Sequence, residues 1–269
     1  MKHNSLTLLL AAGMLLAGMQ TAKAQKVVLH MAGNQTFECS ISQLDSITFV
    51  GDDLIIEEEH EWVDLGLPSG TLWATCNVGA NSPEEYGDYF AWGETEPKSD
   101  YSWGTYKYSK GSSTSLTKYC SQSSYGYNGF TDNLTELLPE DDAATVNWGI
   151  DWQTPSRKQW EELLFSSYTT RKWTTQNRVT GLLITSKSNG NSIFWPAGGY
   201  SHGKDIGHIG THCDYWSRSL YQDNSTNAYY KYFNSGGYGS SDEGNRFVGR
   251  NIRPVQKQGS GTGGGGSSW

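Results

Sequence analysis

Apolar and polar residues alternate along much of this chain, which is the pattern of half-buried β-strands. The pattern predicts strands at residues 62–65, 71–74, 182–185, 192–195, 227–233 and 247–255. A Pro-Ser-Gly turn separates the first two, and the Asn189-Gly190 pair between the third and fourth is typical of a hairpin. Two long loops rich in Gly, Ser and Asp are expected at 199–214 and 234–245.

Two short helices are predicted as well. The letters SPEE at 82–85 combine an N-cap serine, a proline suited to the first helical position and a glutamate that can reach back to the cap. Gly87 should end this helix after about one turn. The second helix begins at Thr154-Pro155 and places three apolar side chains on one face: Trp160, Leu163 and Leu164. The predicted fold class is therefore α+β with a strand-rich C-terminal half.

The first 24 residues resemble a secretory signal peptide. Lys2 and His3 precede an apolar stretch over 6–19, and Ala-Lys-Ala stands directly before Gln25 as a cleavage site. The stretch is shorter than the roughly 20 residues of a membrane span. The mature protein is therefore predicted to be periplasmic, cell-surface or extracellular and not to span a membrane after cleavage, with an uncleaved anchor as the alternative.

The rest of the chain divides by composition into four parts. Residues 25–50 are predicted to form a small β-hairpin module, because their apolar side chains share one face around an Ala-Gly-Asn-Gln turn: Val28, Phe37, Cys39, Ile41, Ile47 and Phe49. The acidic segment 51–60 indicates a linker, and the Gly/Ser-rich tail 258–269 should be flexible. Between them, 61–257 holds ten of the eleven tryptophans, which indicates one domain with one sizeable core.

Charge and cysteine content narrow the partners and the chemistry. The chain carries a net charge of −8, and removing 1–24 takes away Lys2 and Lys23, which leaves −10. No run of Lys or Arg could neutralise a phosphate backbone, so nucleic acid is not an expected partner. Four widely spaced cysteines leave two alternatives open: buried free thiols, or one disulfide among Cys76, Cys120 and Cys213.

Catalytic and metal motifs are weak. There is no G-x-S-x-G elbow, and Glu161-Glu162 lie on the polar face that a surface helix must keep. His208 and His212 are four residues apart, but the glycines around them indicate a loop, where that spacing does not place two rings on one helical face. No metal, cofactor or enzymatic activity is predicted.

Binding is the better expectation for the C-terminal region. Between 199 and 247, Tyr, Arg, His and Asp stand on a background of Ser, Gly and Asn. This is the composition of binding surfaces in which rigid aromatics supply contact area and small polar residues supply adaptable hydrogen bonds. Part of Tyr229, Tyr230 and Tyr232 must nevertheless be buried, because alternation along a strand turns one face inward.

Several motifs carry a family resemblance. The run from Trp62 to Lys98 (WVDLGLPSGTLWATCNVGANSPEEYGDYFAWGETEPK) is followed by DWQTPSRKQWEELL, ITSKSNGNSIFWPAGGY, YWSRSL, NAYYKYFNS and IRPV. Together, over about residues 61–256, they resemble the Fibrobacter major paralogous domain family, which is abundant in secreted Bacteroidetes proteins. The resemblance implies a C-type-lectin-like fold, related to formylglycine-generating enzymes and to the variable proteins of diversity-generating retroelements.

The resemblance also implies where the binding residues lie. In the variable proteins the last strands and loops carry a diversified ligand-binding surface that ends near a motif like Ile252-Arg253-Pro254-Val255. The residues implied here as ligand contacts are His208, His212, Asp214, Arg218, Tyr221, Asp223, Tyr238, Asp242, Arg246 and Phe247. Ordinary divergence between paralogues would explain the same replacements.

Other activities of the related proteins lack their motifs. No cysteine follows Cys213, whereas formylglycine-generating enzymes need a pair near the C-terminus, and Glu96-Pro97-Lys98 replaces the Glu-Pro-Asn of calcium-dependent lectins. The predicted function is therefore an exported, adhesin-like or receptor-like protein that binds a protein or carbohydrate on a cell or phage surface. The alternatives are an enzyme of the formylglycine-generating-like fold and a structural cell-surface or pilus component.

Overall fold

A computed structural model describes residues 60–238 and 243–257, with only the backbone of Gly237 and Tyr238, and the backbone of four strands before residue 60. The chain divides into two compact units, Met1–Glu59 and His60–Trp269. The predicted signal peptide beyond its first strand, the acidic segment 51–59 and the tail 258–269 lie outside the described residues. No helix in the described part is long and apolar enough to cross a bilayer.

The first unit contains the predicted hairpin. Strands β2 (Lys26–Met31) and β3 (Gln35–Ser40) pair antiparallel, with Lys26 opposite Ser40 and Met31 opposite Gln35. Two shorter strands, β1 (Leu6–Thr7) and β4 (Thr48–Phe49), form a second antiparallel pair. The strands predicted on either side of the Ala-Gly-Asn-Gln turn are therefore confirmed, whereas Phe49 pairs with Leu6, outside the predicted 25–50 segment.

The second unit is a mixed α+β structure made mostly of strands. Its elements in chain order are β5 (Trp62–Asp64), β6 (Leu72–Ala74), α1 (Ala143–Trp148), β7 (Trp152–Gln153), α2 (Arg157–Leu163), β8 (Thr169–Gln176), β9 (Val179–Ser186), β10 (Ser192–Pro196), β11 (Tyr200–His202), β12 (Asp205–Gly207), β13 (Cys213–Leu220), β14 (Asn227–Asn234), β15 (Gly237–Tyr238), β16 (Glu243–Asn245) and β17 (Val255–Gln256). Single 3₁₀ turns occur at Tyr127–Gly129 and Pro139–Asp141. The predicted α+β class is confirmed.

The described strands of this unit form four sheets. One has the order β5-β6-β17-β7, and another is β10-β9-β8. In the third, β13-β14-β15, strand β14 pairs also with β16, and β11 with β12 forms a separate hairpin. The hairpin predicted from Asn189-Gly190 is confirmed, since β9 and β10 pair with Ile184 opposite Ile193.

The β13–β14 pair is covered by apolar clusters on both faces. Cys213 and Tyr215 on β13, with Phe233 on β14, belong to one cluster, which also contains Trp73, Trp160 and Trp195. Trp216, opposite Tyr230 in the register, belongs to the other cluster, which includes Phe90, Trp92, Tyr106, Tyr119 and Phe247. Because successive side chains alternate between the faces of a strand, this one pair of strands connects both cores.

The helices differ from the prediction. Helix α2 begins two residues later than expected, at Arg157, because Ser156 caps it and shares a reciprocal capping box with Gln159. No helix forms at 82–85, where the Glu85 N–H donates to the Ser82 carbonyl in a single turn that Gly87 (φ 70°) ends. Such a short segment closes too few hydrogen bonds to nucleate a helix.

Helix α1 was not predicted. It is only six residues long, and its N-cap Asp142 accepts from the Ala144 N–H while also accepting from the backbone and hydroxyl of Thr154. Those bonds to Thr154 come from twelve residues along the chain, so no local pattern reveals the helix.

The last predicted strand is also wrong in extent. Within 247–255, only Val255 belongs to a strand, and residues 249–251 make single bridges to separate segments. Gly249 pairs with Ser201 and Arg250 with Phe90. A change of partner at successive residues keeps this segment from continuing as one strand.

The described cysteines support the free-thiol alternative. Cys76, Cys120 and Cys213 form no disulfide, and the last two are buried as small apolar residues. The side chain of Cys39 lies outside the described residues.

Candidate ligand-binding surface

The ten predicted site residues do not lie on one surface. His208 and His212 precede β13 and Asp214 lies at its start, whereas Tyr221 and Asp223 follow its end. Tyr221 is seven positions after Asp214, which corresponds to about 23 Å of extended chain. The sequence therefore marks two separate places, and each has its own geometry.

The first place is built on the β11–β12 hairpin and the turn that follows it. The hairpin's turn is held by Tyr101, whose N–H donates to the Gly203 carbonyl at 2.6 Å and whose carbonyl accepts from the Gly203 N–H at 2.8 Å. Beyond the hairpin, the His212 N–H donates to the His208 carbonyl at 3.0 Å. His208 has φ 65°, and this single helical-type turn brings the two histidines together in a segment predicted as a plain loop.

Four aromatic rings then form a row, which we call the histidine–tyrosine cluster: Tyr200, His208, His212 and Tyr232. His208 stacks on Tyr200 with centroids 5.2 Å apart, and on His212 at 4.1 Å with planes only 6° apart. Tyr232 meets His212 edge-on at 4.8 Å, and its hydroxyl lies 3.2 Å from His212 Nε2. The row joins the hairpin to the middle of β14.

A buried ion pair lies beneath the cluster. Arg250 Nε is 3.7 Å from Asp214 Oδ1, which is too far for a hydrogen bond. The attraction between these two atoms is therefore that of opposite charges. The guanidinium lies between two rings, with its carbon 4.3 Å from the centroid of Trp216 and 3.8 Å from that of Tyr230. The other carboxylate oxygen of Asp214 is buried and accepts no hydrogen bond from any described residue.

This environment changes the protonation of two groups. Burial raises the pKa of Asp214 to about 6, although the nearby charges of Arg250 and His208 act in the opposite direction. Burial, and then the neighbouring His208, lower the pKa of His212. Both groups therefore favour their neutral forms more than free side chains do.

Two branched apolar side chains are exposed beside the cluster. Ile206, on β12, and Ile209, in the turn, are each 49% exposed. Large aliphatic residues at the rim of a rigid polar and aromatic surface are typical of protein interaction sites. The residue pattern did not predict these two exposed apolar side chains, because both lie in a segment whose glycines and polar residues indicate a loop.

The cluster is not arranged to bind a metal ion. The lone pairs of an imidazole lie in the ring plane, so two nearly parallel stacked rings cannot direct nitrogens to one point. Within the described ranges, no three His, Cys, Asp or Glu side chains come close enough to hold an ion together.

The second place lies on the opposite face of the β13–β14 pair. Tyr221 meets Tyr229 edge-on at 5.3 Å, and the Arg157 guanidinium lies 4.2 Å from the Tyr229 centroid and donates to its hydroxyl at 2.6 Å. A shallow depression lies beside this contact, lined by Arg157, Trp160, Ser217, Tyr229, Tyr230 and Lys231. Asp223 is exposed, three residues after the end of β13.

Arg218 has structural partners nearby. Its guanidinium is 3.0 Å from Glu136 and donates to the Gln153 side chain. These contacts connect Arg218 to the segment before α1 and to β7. The Arg218 side chain is therefore only partly available to a ligand.

Three of the predicted contact residues are buried, so the prediction that they lie on an exposed face is wrong. Asp214 is the buried acid beneath the cluster, and Phe247 packs edge-on against Trp103 at 5.1 Å. Arg246 is fully buried and donates to Tyr106 and to three backbone carbonyls. The side chains of Tyr238 and Asp242 lie outside the described residues.

Gly199 sets the position of the hairpin beneath this surface. It has φ 67°, and a Cβ there would lie 1.9 Å from the Gly207 carbonyl oxygen at the end of β12. Gly190 has a similar φ of 79° but open space around the same position. We expect Gly190→Ala to lower the free energy of unfolding by about 1–2 kcal/mol and Gly199→Ala by a further 1–3 kcal/mol or so, measured by urea denaturation. Equal losses in the two variants would contradict the close approach at Gly199.

Comparisons with family models, curated proteins and solved structures give no match for this chain. The resemblance to the Fibrobacter major paralogous domain family thus stays a prediction that depends on the sequence motifs alone. The arrangement of the chain's own residues, above all the histidine–tyrosine cluster, has to carry a functional conclusion.

Proposed function

We propose that this protein is an exported binding protein with a C-type-lectin-like fold, whose ligand contacts the histidine–tyrosine cluster together with Ile206 and Ile209. The observation that carries the proposal is the juxtaposition of exposed aliphatic side chains with a row of stacked rings on a hairpin fixed at both ends. Little conformational entropy would be lost when such a surface binds.

The chemistry of the surface favours a protein ligand over a carbohydrate. Sugars bind aromatic residues by stacking on an open ring face. In the cluster, His208 stacks against both Tyr200 and His212, and the exposed apolar area comes from Ile206 and Ile209 instead. Aliphatic anchors of this shape suit a complementary groove on a protein.

The same surface is where diversification by a retroelement would change the ligand at least cost in stability. His208, Ile209 and Thr211 are exposed, so replacements there leave both apolar clusters intact. Arg246 and Phe247 belong to the interior and would not tolerate such variation. Related genes that vary at codons 208, 209 and 211 but keep 246 and 247 would support this proposal.

The proposal predicts a loss of binding without a loss of folding. We expect Ile206→Ser with Ile209→Ser to weaken binding at least about 30-fold, because central contacts contribute about 2 kcal/mol or more. The full chain would be titrated against arrays of purified bacterial and phage surface proteins and of glycans, and each positive protein or glycan would be retested with the variant.

A matched control is available on α1 and the residues after it. Val146 and Ile150 are 49% and 64% exposed, so Val146→Ser with Ile150→Ser removes comparable apolar area from another surface. This pair should bind like the wild type, and both double variants should melt within a few degrees of it. Unchanged binding by the Ile206 and Ile209 variant would refute the proposed surface.

A further inference from the structure

His212 lies between a buried carboxylate and a tyrosine hydroxyl, which gives its ring two alternative partners. We propose that His212 and Asp214 form a pH-sensitive latch beneath the binding surface: uptake of one proton draws the His212 ring toward the Asp214 carboxylate and away from His208 and Tyr232. As a means of regulating binding, this inference rests on the proposed function, but the latch itself does not.

The hydrogen bonds define the unlatched state. The Asn234 amide donates to the Tyr232 hydroxyl at 2.5 Å, which leaves the hydroxyl hydrogen for His212 Nε2 at 3.2 Å. A neutral His212 that accepts at Nε2 carries its hydrogen on Nδ1. That nitrogen is 3.9 Å from Asp214 Oδ2, so the gap is about 1 Å too long for a hydrogen bond.

Asp214 Oδ2 is the group that a latched state would satisfy. It is buried without a hydrogen-bond donor among the described residues, and a buried carboxylate oxygen without a partner is costly. Proton uptake puts a hydrogen on Nε2 as well and makes the ring cationic, so the Nδ1–H becomes a charge-assisted donor that is drawn to this oxygen. Nε2 then no longer accepts from Tyr232, and the chain of hydrogen bonds from Asn234 is interrupted.

The charged and titratable groups around the pair come from three elements. Arg250, from the segment before β17, faces the Oδ1 side of the carboxylate at 3.7 Å. Tyr230 and Tyr232 face the site from β14, and His208 and Tyr200 face it from the hairpin segment. Arg250 disfavours a second positive charge at the pair, and the neighbouring His208 lowers the pKa of His212.

The direction of the pH response follows from these groups. Above neutral pH the carboxylate is ionised beside Arg250 and His212 is neutral. As the pH falls through about 6, the raised pKa of Asp214 means that the pair takes up one proton from solvent. The latched pair then holds one hydrogen between Oδ2 and Nδ1 and the other on Nε2, whichever of the two groups is the formal carrier of the added proton.

Movement of His212 would reach the exposed surface through the stack. His208 packs on His212 at 4.1 Å, and its carbonyl accepts from the backbone of both Thr211 and His212. Ile209 lies within this same turn. A shift of the His212 ring therefore alters the support of an apolar contact residue without disturbing the apolar clusters.

The latch is tested by an NMR pH titration of the full chain between pH 7.5 and 4.5, without ligand. We expect the His212 ring signals and the amides of residues 208–212 to move with one common midpoint. In Asp214→Asn the His212 midpoint should fall by about 1 pH unit or more, because the anion that favours the imidazolium is gone. In the control Asp205→Asn, which removes an exposed carboxylate from β12, it should not change.

An unchanged His212 midpoint in Asp214→Asn would overturn the latch. If that variant does not fold, His212→Gln replaces it: the pH-dependent movement of the 208–211 amides should disappear, and its persistence would equally refute the proposal. Because no ligand is used, the outcome is separate from the binding test. Binding unaffected by Ile206→Ser and Ile209→Ser would remove the proposed function and leave the proton latch intact.

Discussion

Replacing Arg246 by methionine is expected to lower the free energy of unfolding by about 3–5 kcal/mol, which is a large part of the stability of a typical domain. The side chain is fully buried. It donates to the Tyr106 hydroxyl at 2.9 Å and to the backbone carbonyls of Lys118, Tyr119 and Ser225 at 3.0, 2.7 and 2.9 Å. Methionine fills a similar volume but leaves those three carbonyls without this donor.

Among the described residues, the surroundings of Arg246 compensate its charge without a carboxylate at hydrogen-bond distance. The guanidinium carbon lies 5.2 Å from the ring centroids of both Trp92 and Tyr106. Aromatic faces and carbonyl oxygens together replace the hydration that burial removes. Lysine cannot reproduce this set of planar, diverging donors, so Arg246→Lys should also destabilise the protein strongly.

Urea denaturation followed by tryptophan fluorescence measures this effect, with Arg178→Met as the matched control. Arg178 is exposed in the turn between β8 and β9, so its replacement should change stability by less than about 0.5 kcal/mol. If Arg246→Met proved as mild as the control, the guanidinium would not be holding the loops around residues 118 and 225 together.

Trp160→Ala is expected to cost about 3–5 kcal/mol, through lost burial and the cavity left behind. Trp160 is the buried residue by which α2 packs on the sheet. Its ring centroid lies 5.2 Å from that of Trp73, 4.8 Å from that of Trp195 and 6.2 Å from that of Tyr215. Such bulky neighbours cannot move far enough to fill the space that the indole leaves, so most of the cavity should remain.

Trp62→Ala is the control for the tryptophan deletion. Trp62 lies on β5 and is 46% exposed, so its removal should cost far less than that of Trp160. Thermal and urea unfolding of the two variants would be compared under one condition. Similar losses at the two positions would mean that Trp160 is not central to its cluster.

Local patterns predict some of the regular elements of this protein. The alternation and the Asn-Gly turn predict the β9–β10 hairpin, and apolar spacing predicts α2 with Trp160 and Leu163 buried. In both cases the decisive interactions lie within the segment itself. The same holds for β14, where alternation turns Tyr229 and Tyr230 to opposite faces.

The burial of the interior arginines could not be predicted from local patterns. The segment 246–253 contains three arginines, which is typical of an exposed segment. All three are nevertheless buried: Arg246, Arg250 and Arg253. Their partners are carbonyls and rings brought by distant segments. Arg253, for example, donates to Ala74 and Phe194. No pattern near residue 250 contains that information, because the compensation of a buried charge depends on tertiary structure.

The geometry of the candidate surface could not be predicted from the sequence, for a similar reason. Composition singles out His208 and His212 as candidate ligand contacts, but their stacking depends on the turn between them and on Tyr200 and Tyr232. Residue types cannot separate Arg246, which faces inward, from Arg157, which lies over Tyr229. Only the strand register divides the predicted residues between the two faces of one sheet.

The position of β17 has a consequence for how the chain acquires its structure. Val255 pairs with Trp73 on one side and with Gln153 on the other, so the last strand completes a sheet whose other members precede it by about a hundred residues or more. Contacts of such long sequence separation slow folding, and a nascent chain lacking residues 255–256 cannot close this sheet. The His60–Trp269 unit should therefore reach its native state only after synthesis has passed residue 256, and it should fold in milliseconds to seconds rather than microseconds.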